Sequence, residues 1–194
     1  MSQNQAMRIV AFAGSLRRAS LNRSLLFNLV DLAPADMAIE IHSLAEVPIF
    51  NPDDEAAGTP AAVQRLRDAI AAADGLLVIT PEYNAGIPGM LKNAFDWLSR
   101  PAGRSVLVGK PTAIAGVTTG ALGTARAQAQ LRALLDHTAT PVLPAPQVYV
   151  GLARDKFDAD GRLTDEKTRA FAQKFMAAFA DWVRRLGPSS ADRD

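Results

Sequence analysis

The sequence predicts a doubly wound α/β domain, one parallel sheet with helices on both faces, on the strength of three observations. Short, nearly continuous apolar runs at residues 8–13, 75–80 and 112–118 have strand length and the composition of strands buried on both faces. Segments with helical apolar spacing alternate with them, so successive strands are joined by crossovers and must run parallel. Three loops rich in small and polar residues, at 14–20, 81–86 and 118–123, each follow a strand. They therefore share the carboxyl edge of the sheet, where folds of this class bind ligands.

Taken in order, residues 8–13 form the first strand and Gly14 allows the chain to turn. Ser20 is a suitable N-cap, and Leu25, Leu26, Leu29, Val30 and Ala33 recur at helical spacing behind it. Residues 38–44, with Ile39 and Ile41, predict a second strand, and 45–59 read as a loop because they are rich in Pro, Asn, Asp and Gly. Pro60 suits the first turn of a helix whose Val63, Leu66, Ile70 and Ala73 share a face. Pro88 opens the next helix, through Leu91, Phe95 and Leu98, and 101–109 form a linker. A further helix turns Leu131, Leu134 and Leu135 inward. Prolines break 141–146, leaving 147–150 as the last strand, and 158–161 have the composition of a hairpin tip. The final helix is predicted over 164–186, with Phe171, Phe175, Phe179 and Val183 as a buried stripe and Gly187 at its end. The expectation is one domain over 1–194, with disordered tails at 1–6 and 188–194.

Composition narrows the function. The chain has 194 residues, 48% of them hydrophobic and 21% charged, which suits a soluble globular protein with a sizeable core. A net charge of +1 offers no long-range attraction to nucleic acid or membrane. The absence of cysteine removes disulfides, thiolate nucleophiles and cysteine metal sites, and no apolar run approaches the roughly 20 residues of a membrane span. The polar stretch 1–7 lacks the basic and apolar regions of a signal peptide, so a cytoplasmic location is expected.

The first loop carries the strongest chemistry. A helix N-terminus, the hydroxyls of Ser15 and Ser20, the amide of Asn22 and the guanidinium of Arg17 converge there, which is what a phosphate dianion requires. An ordinary capped turn with a solvated arginine is the plainer alternative. Other chemistries fail on spacing. Leu16 stands where a dinucleotide fingerprint needs its second glycine, and Gly103 to Gly109 holds five intervening residues and runs into Pro111, so no P-loop is present. Lys156 and Lys167 occupy the first and last places of what would be a calcium loop. His42 and His137 are the only two histidines and have no second ligand nearby, so no metal site is expected. What remains is a single-phosphate pocket beside two backbone-rich loops, suited to a mononucleotide whose ring does the chemistry, with FMN the natural candidate.

Three stretches, Gly14-Ser-Leu-Arg-Arg-Ala-Ser-Leu-Asn22, Thr80-Pro-Glu-Tyr-Asn84 and Pro88-Gly-Met-Leu-Lys-Asn-Ala-Phe-Asp-Trp97, make the chain resemble the NADPH-dependent FMN reductase family of flavodoxin-like proteins, with its chromate, quinone and azo reductases. The resemblance covers about residues 7–186. It implies strand order 2-1-3-4-5, non-covalent FMN and a homodimer or homotetramer. By position it implies that Ser15, Arg17, Ser20, Leu21 and Asn22 hold the phosphate, and that Pro81, Glu82, Tyr83 and Asn84 border the ring, mainly through backbone groups. Thr118, Thr119, Gly120 and Gly123 would approach the ring from the third loop.

Several assignments have rivals. Tyr83 could cap the core, Glu82 could brace its loop or meet a partner subunit, and Trp97 with Asp96 could serve a subunit interface or the core. Lys92 and Asn93 read as structural. The activity implied is hydride transfer from NADPH (or NADH) to N5 of bound FMN, followed by two-electron reduction of a small-molecule acceptor such as a quinone, azo compound, chromate or free flavin. No side chain is assigned a catalytic role, since the flavin carries the chemistry. The alternatives are a flavodoxin-type one-electron carrier, disfavoured by the lack of an acidic surface charge, and a non-catalytic nucleotide sensor.

Overall fold

A computed structural model describes residues 6–187. The expected tails thus lie, apart from Ala6, outside the described residues. Five strands, β1 (Met7–Ala13), β2 (Met37–Ile41), β3 (Gly75–Ile79), β4 (Thr112–Val117) and β5 (Val148–Val150), form one sheet in the order β2-β1-β3-β4-β5. All four pairings are parallel, in registers such as Ile9 opposite both Ile39 and Gly75. The helices are α1 (Leu21–Asp31), α2 (Pro52–Ala57), α3 (Ala61–Ala72), α4 (Gly89–Leu98), α5 (Ala125–His137) and α6 (Glu166–Leu186).

Strand alternation divides the core in two. Ile9, Ala11 and Ala13 of β1 face one way, into a cluster with Leu25 and Leu29 of α1 and Phe175, Met176 and Phe179 of α6. Val10 and Phe12 face the other way, onto Ile70 of α3, Leu91 and Phe95 of α4 and Leu131 of α5. Each of these large side chains is almost wholly buried, and each contributes about 1.5–3 kcal/mol of transfer free energy.

Four expectations need correction. The 45–59 loop contains α2, started by Asn51, whose side chain accepts from the Asp53 N–H, with Pro52 in its first turn. The second strand ends at Ile41, three residues early: the His42 N–H still donates to the Ala11 carbonyl of β1, and the chain then turns, with the Val47 N–H bonding back to the Leu44 carbonyl. On α5, Leu134 is only half buried. On α6 the buried face is Ala172, Phe175, Met176, Phe179, Ala180 and Val183, whereas Phe171 is 41% exposed. Steps of four residues drift by about 40° per step around a helix, so a stripe drawn at 171, 175, 179 and 183 leaves the buried face at one end.

Candidate active site

The first loop behaves as its residues dictate. Ser20 adopts extended backbone and its hydroxyl accepts the Arg23 N–H at 3.3 Å, capping α1. The N–H groups of Leu21 and Asn22 lie in the helix's first turn and have no partner within the helix, so they are available to an anion. Arg17 is exposed, and its guanidinium makes no hydrogen bond or ion pair with another described residue. Ser15 is buried at the loop's start, with its Oγ 3.5 Å from the Tyr83 hydroxyl.

Asn22 departs from expectation. Its side-chain amide does not face the loop: Nδ2 donates to the Val117 carbonyl at 2.9 Å and Oδ1 accepts the Val117 N–H at 3.1 Å. The side chain satisfies both main-chain groups at the end of β4, so only the backbone N–H of Asn22 remains for a ligand. Sequence reasoning missed this because the partner lies 95 positions away.

The second loop is a tight hairpin. Tyr83 and Gly86 exchange two main-chain bonds, at 3.0 and 2.9 Å, and the residues between them, Asn84 and Ala85, have φ of 49° and 63°. Positive φ at both central positions is the type I′ turn, which asparagine tolerates well and alanine poorly. Glu82, just before it, is spent within the protein. Its Oε2 accepts the N–H groups of Arg126 at 2.9 Å and Ala127 at 3.1 Å, and its Oε1 accepts from Nε of Arg126 at 2.7 Å and from Nη2 of the same side chain. The carboxylate is 7% exposed. Burial alone would raise its pKa; the Arg126 hydrogen bond, the Ala127 N–H and the Arg126 charge outweigh that and hold it below the ordinary glutamate range. Of the rivals weighed for Glu82, bracing is what its side chain does.

In the third loop Thr118 closes on itself, its Oγ1 accepting the Gly120 N–H at 3.3 Å. A side chain at Gly120 would meet little, whereas one at Gly123 would sit 2.5 Å from the Tyr149 carbonyl carbon. Gly123 therefore packs against β5 rather than opening space for a ligand.

These segments enclose a cavity of about 240 Å³. Loop one contributes Ser15, Arg17, Ser20, Leu21 and Asn22 to its wall, loop two Pro81, Glu82 and Tyr83, and the end of β4 with loop three Val117, Thr118 and Thr119. Asn84, Gly120 and Gly123, predicted with them, are not among the lining residues. Tyr83 is 48% exposed, an open aromatic rather than a core cap. Trp97 settles as core: its ring packs edge-on against Phe50 at 4.9 Å and its N–H donates to the Pro48 carbonyl. Asn93 holds that same segment, through Phe50 N–H at 2.7 Å and Pro48 O at 2.8 Å, while Lys92 pairs with Asp96 at 2.5 Å. His42 lies 2.8 Å from Glu40, and His137 ends α5 in the open.

A helix N-terminus, a free guanidinium and two hydroxyls opening at the carboxyl edge of a 2-1-3-4-5 sheet define a flavodoxin-like, mononucleotide-binding protein. The donor set fits the phosphate of FMN, and the backbone-lined part beside it fits a flat ring. The chain belongs to the NADPH-dependent FMN reductase family, whose pattern it matches over residues 7–155. It is 44% identical over 180 residues to an NAD(P)H-dependent FMN reductase of Pseudomonas aeruginosa, covering 93% of this chain and 97% of that protein. It is 41% identical over 179 residues to a 2-hydroxy-1,4-benzoquinone reductase of a Burkholderia species, covering 92% and 97%. Among solved structures, FerB, a flavoenzyme NAD(P)H:(acceptor) oxidoreductase from Paracoccus denitrificans, superposes with a TM-score of 0.88 at 40% identity, over 94% of this chain and 100% of that one. These are names of turnover enzymes rather than of one-electron carriers. The protein is an oxidoreductase that uses FMN and NAD(P)H.

Proposed function

We propose that this protein reduces quinones, taking hydride from NADPH at a single site formed by the three loops. The observation that carries the reading is the convergence of Arg17, Ser15, Ser20 and the free N–H groups of α1 on the same cavity as the backbone of Pro81–Tyr83 and Thr118–Thr119. Bound FMN supplies the redox chemistry; the protein supplies position and charge.

Arg17 offers two parallel N–H donors to phosphate oxygens, and the N–H groups of Leu21 and Asn22 add the favourable end of the helix dipole. Backbone groups of loops two and three orient the ring, and the exposed Tyr83 flanks the mouth through which nicotinamide and acceptor enter in turn. Ordering both reactants against one rigid surface is where the protein's rate contribution lies. Asn84, Gly120 and Gly123 serve this arrangement from outside the cavity wall, by shaping the turns that present the wall. Chromate, azo compounds and free flavin belong to the same reading as further acceptors, as do a cytoplasmic homo-oligomer and a single domain spanning the chain. No helix among the described residues is long and apolar enough to cross a membrane.

The test is an anaerobic absorbance titration of the FMN-reconstituted protein with NADPH, followed by benzoquinone. Flavin bands that bleach with NADPH and return with quinone support the reading. Bands that persist on NADPH addition sink it.

A further inference from the structure

Loop two is tied to α5 at both of its ends. Before the hairpin, Glu82 places one carboxylate oxygen on the N–H groups of Arg126 and Ala127, the second and third residues of the helix. After it, the Ile87 N–H donates to Oε1 of Gln130, one turn further along α5, at 3.1 Å. Gly86 is packed so closely there that a Cβ would lie 2.9 Å from the same oxygen.

The helix depends on this arrangement, because it has no cap of its own. Thr124 occupies the N-cap position in left-handed backbone, φ 68°, and makes no capping bond. Its hydroxyl is taken by Nε2 of Gln128 at 3.0 Å. Glu82, 44 positions earlier, does what a local Ser, Thr or Asp ordinarily does, accepting the orphan N–H groups and matching the positive end of the helix dipole. It also neutralises Arg126. Both carboxylate oxygens are thereby occupied by α5 and Arg126, so the influence of Glu82 on a ligand passes through the placement of the two loops.

We propose that Glu82 is a positioning residue for the cofactor: seated on the first turn of α5 and on Arg126, it fixes loop two against the loop that leads into α5, and so sets the width of the slot that receives the flavin ring. The inference rests on the FMN site argued above. Arg126 and Gln130 are the other parts of the clamp. Tyr83 and the Asn84–Ala85 turn hang between its two ties.

The experiment measures FMN dissociation constants and amide hydrogen exchange for the full chain, with and without FMN, in E82A, E82Q and the wild type. Expected for E82A is a loss of FMN affinity on the order of tenfold, about 1.4 kcal/mol. It should come with faster exchange confined to residues 83–87 and to the first turn of α5. E82Q keeps a side-chain oxygen that can accept the two N–H groups and should recover most of both effects. FMN affinity in E82A within about twofold of wild type would overturn the proposal, since a tie that fixed the slot could not be cut so cheaply. So would exchange that quickens evenly across the whole sheet, which is the signature of general destabilisation. Should E82A not accumulate as folded protein, R126A, which keeps the carboxylate on the two N–H groups, and Q130A, which cuts the other tie, carry the same comparison. A wild-type chain that fails to bind FMN would instead refute the site, and the exchange pattern of the FMN-free variants would still decide whether the clamp exists.

Discussion

Asn22 closes a two-bond bridge onto the main chain of Val117, giving its amide hydrogen to the carbonyl and accepting the N–H in return. This joins the N-terminus of α1 to the last residue of the fourth strand, inside the protein. Asn22→Ala should leave two buried main-chain groups without partners and destabilise the fold by about 1–3 kcal/mol, measured by urea unfolding. Asn22→Asp should be no better, because a carboxylate cannot donate to the Val117 carbonyl. Retention of wild-type stability in both variants would show that the bridge contributes nothing.

Arg17 is exposed and unshared, so its removal should act on the ligand rather than on the fold. Arg17→Ala is expected to weaken FMN binding by about 1.5–3 kcal/mol, the scale of a charged hydrogen bond, with little change in melting temperature. Riboflavin, which lacks the phosphate, should bind the variant and the wild type alike. An equal loss for both ligands would move Arg17 away from the phosphate.

Gly116 lies in the fourth strand where Thr80 and Thr124 close over it. A Cβ there would stand 2.1 Å from the Thr124 hydroxyl and 2.3 Å from the Thr80 carbonyl. Since one of these neighbours is backbone, Gly116→Ala should cost about 1–3 kcal/mol or more, read as a fall in melting temperature.

The acid limb of the stability curve should carry the mark of Glu82. Its folded pKa is depressed, so the folded chain binds fewer protons than the unfolded one around the ordinary glutamate pKa of about 4.3. Its contribution is therefore present above that pH and is lost as pH falls through the lower, folded value. Glu82→Gln should flatten the slope of unfolding free energy against pH in this window, being less stable than the wild type at neutral pH and converging with it as pH falls below the folded value. An unchanged slope would mean that the carboxylate gains nothing from its partners.

Phe171 and Phe175 stand one helical turn apart yet should respond differently to truncation. Phe175→Ala empties a site that is 1% exposed and should cost about 3–5 kcal/mol, whereas Phe171→Ala removes a ring that is 41% exposed and should cost about 1 kcal/mol or less.

Local signals were legible wherever they were local. Ser20 announced the start of α1, and the buried strands announced the sheet and, with it, the edge on which the loops meet. Asn51, Pro52 and the acids of Asp53, Asp54 and Glu55 also carried a helix-start signal, hidden by the loop-like composition around them. What could not be read were bonds between distant positions. Asn22 and Glu82 have side chains suited to a ligand, and nothing in their neighbourhood says that Val117 and Arg126 have already claimed them. Residue type and spacing thus pointed to three loops that the fold brings to one cavity, while which of their polar groups the scaffold itself uses required the third dimension.

The placement of the two tryptophans has a practical, optical consequence. Trp97 is held by the Pro48 carbonyl and Trp182 by that of Pro141, and neither lines the cavity between the three loops. Both indoles are anchored by these bonds outside the wall of that cavity. Quenching of their fluorescence by a bound flavin would act through space, by energy transfer, and its efficiency would measure distance and loading without any group in the cavity being touched.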